Sequence, residues 1–83
     1  MKYTAEQIEE KVIDCIHAFG FGKEKIISSS TKPYDELGMD SLDMLELIEA
    51  VETQLEVIVD TSNHVHLTLT TVNDIVELFK KQF

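Results

Sequence analysis

Eighty-three residues make one domain, and with 43% of them apolar the chain can form a small core and does not read as intrinsically disordered. Sixteen acidic residues against seven lysines give a net charge of −9, and residues 33–79 hold eleven of those acids with no lysine or arginine, a field that disfavours nucleic acid and attracts basic protein surfaces. Apolar runs of only a few residues exclude a transmembrane helix, and the first residues lack a signal-peptide stretch, so a cytoplasmic chain without membrane insertion is expected.

The first helix is predicted from Thr4. Thr4 and Gln7 have the capping-box spacing, and Tyr3 can staple onto Ile8. Ile8, Val12, Cys15, Ile16 and Phe19 then form one apolar stripe, which Gly20 and Gly22 end. From Phe21 to Met39 the periodicity breaks at Ser28-Ser29-Ser30-Thr31 and Pro33. Phe21, Ile26, Ile27, Tyr34 and Leu37 predict a long ordered loop pinned to the core by those side chains.

A second helix is predicted to start at Asp40 or Ser41, with Asp40 as N-cap and Asp43 in the first turn. Met44, Ile48, Val51 and Leu55 form its core face. Leu42, Glu46, Glu49, Thr53 and Glu56 lie roughly opposite. Leu42 is thus an apolar residue at the head of an acidic face, a candidate for partner contact. The stretch from Val57 to Leu69 is β-prone in places but has no strand partner, so a loop with about one helical turn is expected. The last helix is capped by Thr70 or Thr71, buries Val72, Ile75, Val76 and Phe79, and places Lys80 and Lys81 at its negative end.

Catalytic arrangements are scarce. No triad or glycine-rich phosphate loop is present. His64-x-His66 lacks further ligands, Asp40 to Asp43 lacks calcium-loop spacing, and a single cysteine makes neither an internal disulfide nor a cysteine zinc site. Cys15 reads as a core residue. No catalytic residue, no metal and no enzyme activity are expected. One constellation stands out: Ser41 at a helix start, after a glycine-containing turn and before an acidic helix. With acids beside it and no base, Ser41 is a poor nucleophile but a well-placed attachment point. A phosphodiester there meets the positive end of the helix dipole.

The stretch Glu36-Leu37-Gly38-Met39-Asp40-Ser41-Leu42-Asp43-Met44-Leu45-Glu46-Leu47 resembles the modification motif of acyl carrier proteins. Thr71-Val72-Asn73-Asp74-Ile75-Val76 resembles the entry to that family's last helix. The resemblance implies an all-α domain over residues 1–83: a small four-helix bundle with a long first loop and a short or irregular third helix. It also implies that Ser41 takes phosphopantetheine from coenzyme A and carries acyl groups as thioesters, for fatty-acid, polyketide or related lipid biosynthesis. Asp40, Leu42, Asp43, Glu46 and Glu52 match positions that contact a phosphopantetheinyl transferase and acyl-loading or acyl-processing enzymes, and a monomer is expected. Two departures stand out: Glu49 replaces an apolar residue of the fatty-acid type, and residues 60–69 replace an acidic third helix. A peptidyl carrier and an unmodified acidic interaction module are the alternatives.

Overall fold

In the computed structural model, which describes residues 3–83, the described regular elements are all helical. α1 spans Ala5–Ala18. Its start is a reciprocal box: Gln7 N–H donates to Thr4 Oγ1 at 3.1 Å, and Thr4 N–H donates to Gln7 Oε1 at 2.9 Å. Ile8, Val12, Cys15 and Ile16 are buried along the predicted stripe. Phe19 departs from it. This residue caps the C-terminus of α1, where its N–H still donates to the Cys15 carbonyl, and it is 40% exposed. Gly20, at φ +91°, turns the chain there. Its N–H donates to His17 O at 2.9 Å and the Phe21 N–H to Ile16 O at 3.2 Å, which satisfies two terminal carbonyls.

The long connection is ordered by hydrogen bonds as much as by apolar pins. Ile27 is buried as expected, but Ile26 is 98% exposed and pins nothing. Adjacent residues in extended backbone point to opposite sides, so only one of the pair can face the core. Thr31 is buried, with its Oγ1 accepting the Ser28 N–H at 2.9 Å. The loop also contains a helical turn that periodicity did not reveal, α2, Pro33–Glu36. Four residues are too few to show a 3.6 rhythm, and the readable signal was Pro33 at a first helical position.

α3 spans Ser41–Leu55 and buries Met44, Ile48, Val51 and Leu55, as predicted, together with Leu47. Leu47 is buried because α3 packs against both α1 and the segment that follows, so its apolar face is wider than a single stripe. The chain leaves α3 through Glu56, a non-glycine residue in the left-handed region at φ +58°. Residues Ser62–Thr68 form a 3-10 helix in place of the expected loop with one turn, broken by left-handed Asn63 and His64. α4, Val72–Lys80, follows its cap Thr71 and buries Val72, Ile75, Val76 and Phe79, as predicted. α1 packs against both α3 and α4, giving the small helical bundle with an irregular third helix that the sequence implies.

Two side chains hold the irregular half together. Tyr34 Oη donates to the His66 carbonyl at 2.7 Å, tying α2 to the 3-10 helix. Burial, with the Asp40 charge second, raises the Tyr34 pKa. The neutral phenol is therefore the form that folding favours. Its contribution is complete below the phenol's ordinary pKa of about 10 and is lost as pH rises through the higher folded value. Tyr34→Phe is expected to cost about 1 kcal/mol in urea unfolding, with faster hydrogen exchange confined to residues 62–68, and to flatten the alkaline loss of stability.

Glu56 offers a second check. A left-handed L-residue costs about 1–2 kcal/mol, and glycine recovers that at an entropic cost of about 0.5–1. Glu56→Gly also removes a carboxylate from the negative end of α3, four residues from Glu52. A rise in stability of about 0.5–1 kcal/mol by urea unfolding is expected.

Candidate functional site

The helix start at Ser41 is built by two aspartates. The Asp43 N–H donates to Asp40 Oδ1 at 2.8 Å, and the Asp40 N–H donates to Asp43 Oδ2 at 3.0 Å. This reciprocal box fixes Asp40 in extended backbone and Ser41 as the first helical residue. Ser41 is exposed. Its N–H and that of Leu42 lie in the first turn, where no intrahelical acceptor exists. Upstream, Gly38 sits at φ +72°, and a Cβ placed on it meets nothing within 4 Å. An exposed serine and two first-turn N–H groups fit a phosphodiester-linked arm.

The residues flagged for docking divide by what else they do. Leu42 is 62% exposed and Glu46 is exposed, so both face solvent. Asp40 and Asp43 each have one oxygen taken by the cap, leaving the other facing solvent. Glu52 is half-buried, and its Oε2 accepts the Val59 N–H at 2.8 Å. That bond fastens the chain leaving α3 back onto the helix, a structural task that the resemblance does not reveal. Sequence reasoning also missed Phe19, whose exposed ring lies beside Glu46, Glu49, Ala50 and Thr53. The signal was present in Gly20: a left-handed glycine just past the helix makes Phe19 its cap, not a stripe residue.

Comparison with known proteins identifies the motif. A family model for the phosphopantetheine attachment site matches residues 20–79. The mitochondrial acyl carrier protein of Saccharomyces cerevisiae is 39% identical over 58 residues, which are 65% of this chain and 46% of that protein's length. The acyl carrier protein of Rickettsia canadensis is 32% identical over 80 residues, or 95% of this chain and 90% of that protein. That of Rickettsia typhi is similar to the same extent.

Other reactive groups lie elsewhere. Among the described residues no group of three or more His, Cys, Asp and Glu side chains converges as a metal site. The His64 and His66 rings lie 6.2 Å apart, and the His66 Nδ1 is buried without a hydrogen-bond partner. Asp60 Oδ1 accepts the Ser62 N–H at 2.8 Å, and its bonds to Ser62 lower its pKa. Cys15 is buried on α1. Burial, then the Asp14 charge, raises its pKa, with Lys11 acting in the opposite direction. The thiol therefore stays protonated well into the alkaline range and is shielded. With Ellman's reagent at pH 8, the folded, unmodified protein is expected to react at least tenfold more slowly than the same protein in denaturant.

Proposed function

The chain belongs to the acyl carrier proteins, and from that premise we propose that Ser41 Oγ is the atom to which its phosphopantetheine is attached. The observation that carries this reading is the exposed serine held as the first residue of α3 by the Asp40–Asp43 box. The prosthetic group supplies a thiol that holds acyl groups as thioesters. The protein's own residues do the remaining work. Ser41 offers its hydroxyl, and the acids beside it are each engaged by a backbone N–H in the cap. The phosphopantetheinyl transferase supplies the base, and this chain catalyses nothing itself.

α3 is the face that partners meet. Leu42 gives an apolar contact at the modified end, and Glu46, with the free oxygens of Asp40 and Asp43, steers basic patches toward it. Glu52 contributes charge but holds Val59 as well. The partners are the transferase and the acyl-loading and acyl-processing enzymes of fatty-acid, polyketide or related lipid biosynthesis, met by a monomer.

Intact mass after treatment with coenzyme A and a broad-specificity phosphopantetheinyl transferase tests the attachment. The wild type is expected to gain one phosphopantetheine and Ser41→Ala none. An adduct on Ser41→Ala overturns the assignment. Glu46→Lys is the cleaner test of steering, because Asp43→Lys also removes half of the helix cap. It is expected to slow modification roughly tenfold while leaving the melting temperature near that of the wild type. Wild-type modification should itself slow as salt rises, since the Debye length is about 8 Å at physiological ionic strength.

A further inference from the structure

Among the described residues one buried side-chain polar atom has no hydrogen-bond partner, the Nδ1 of His66. Such atoms are uncommon, and each calls for an explanation. His66 stands in the 3-10 helix, which packs against α3, the helix that Ser41 begins. Its carbonyl accepts the Tyr34 hydroxyl at 2.7 Å, and the Asp40 charge acts on that phenol, so His66 lies on the serine side of the molecule. Its own segment supplies no charged partner, because residues 61–73 contain no Lys, Arg, Asp or Glu. A neutral imidazole has one donor and one acceptor nitrogen. A buried N–H with no acceptor is the rarer and costlier defect, so the ring carries its proton on Nε2 and Nδ1 is an unused acceptor.

We infer that His66 Nδ1 accepts a hydrogen bond from a hydroxyl on the acyl chain carried at Ser41, and so favours β-hydroxyacyl cargo over saturated and β-oxo chains, an inference that rests on the reading of Ser41 as the attachment atom. The condensation and reduction steps that build acyl chains place such a hydroxyl at the β carbon. The chemistry of the site makes the choice. A saturated chain leaves the lone pair unpaired and out of reach of water. A β-oxo group sets a second acceptor against the first, with no donor between them. An amide of the arm would offer its N–H but bury a carbonyl as well, and the Tyr34 hydroxyl, the donor bonded at His66, is already taken. A hydroxyl brings one donor on an otherwise apolar chain, which suits one acceptor in a segment whose other side chains include Val65, Leu67 and Leu69. The 3-10 helix is the element that yields to admit the chain, since it holds no buried residue and is broken by left-handed Asn63 and His64.

The test loads the protein from coenzyme A thioesters with the transferase, giving β-hydroxyacyl, saturated acyl and β-oxoacyl forms of one chain length beside the form that bears the arm alone. Long-range proton–nitrogen spectra of the imidazoles read the site directly. The His66 Nδ1 resonance is expected to move upfield, as an accepting nitrogen does, in the β-hydroxyacyl form and in no other. Each thioester is also cleaved with hydroxylamine, and its rate is divided by that of the same thioester on free pantetheine. The β-hydroxyacyl form is expected to react roughly fivefold more slowly than the saturated form, the ratio that a net hydrogen bond of about 1 kcal/mol produces. His66→Phe is expected to erase that ratio. His64→Asn, a change that left-handed backbone tolerates at the exposed neighbour, is expected to keep it. The nitrogen shift is read on the wild type, so the outcome does not hang on the folding of His66→Phe. An unmoved Nδ1, equal relative cleavage of the β-hydroxyacyl and saturated forms, or an Nδ1 shift already complete with the arm alone overturns the inference. Intact mass separates the two readings. A loaded Ser41 with no hydroxyl preference defeats only the role of His66, whereas loading of Ser41→Ala defeats the attachment assignment whatever Nδ1 does.

Discussion

The first turn of α4 needs acceptors for its N–H groups, and the long connection provides them. The Val72 N–H donates to the Thr31 carbonyl at 2.9 Å, and the Asn73 N–H donates to the Ser29 carbonyl at 2.8 Å. Thr71 and Asp74 complete the turn: Thr71 Oγ1 accepts the Asp74 N–H, and the Asp74 carboxylate accepts the N–H groups of Thr70 and Thr71. Five N–H groups at and just before the start of the helix are thus paired. The consequence reaches well beyond α4. A crossing of this length would otherwise carry a large ordering cost with little apolar burial to offset it. Anchored at Ser29 and Thr31, the chain delivers Pro33 into the core and α2 follows directly.

From α2 the constraint passes to the serine. The Leu37 and Met39 N–H groups both donate to the Pro33 carbonyl at 3.2 Å, folding the chain tightly behind α2, and Lys25 Nζ caps the Glu36 carbonyl at 2.8 Å. Met39 is buried, so the residue just before the Asp40 cap is fixed. Ser41 therefore projects from a short path tied by several backbone hydrogen bonds, and its exposure follows from where that path ends. A carrier needs an attachment atom that enzymes can reach and a backbone that does not give way when they pull on it. The Asp40–Asp43 box meets both needs at the start of α3.

The acidic residues accordingly serve two masters. Asp40, Asp43, Glu52 and Asp74 all accept backbone N–H groups, so part of the negative charge is structural. Glu46, Glu49 and Glu56 are exposed and have no such bonds, and their charge is free to act on partners. The cost of concentrating them is mutual repulsion, modest at exposed helical spacing and screened by salt. Charge of this kind contributes more to encounter and selection than to folding.

Much of the protein was legible in the chain alone. The capping box at Thr4, the cap at Asp40, a threonine cap before α4, the buried stripes of α1, α3 and α4, and the serine at a helix start all follow from local chemistry, because caps and amphipathic stripes involve residues within one or two turns. The errors share a physical cause. Phe19, Ile26 and Leu47 were misjudged or passed over because burial depends on which elements pack around a residue, and α2 was hidden because one turn has no period. Glu52 looked like free surface until its bond to Val59, seven residues away, was visible. The segment at 62–68 looked like a loop because its left-handed residues and its anchor to Tyr34, more than twenty-five residues earlier, have no local signature. Sequence determined α1, α3 and α4, where they begin, and the placing of a serine at the start of α3. Tertiary structure decided which carboxylates are spent on backbone N–H groups and which exposed ones stand beside Phe19 in a groove, since those choices depend on contacts between residues far apart in the chain.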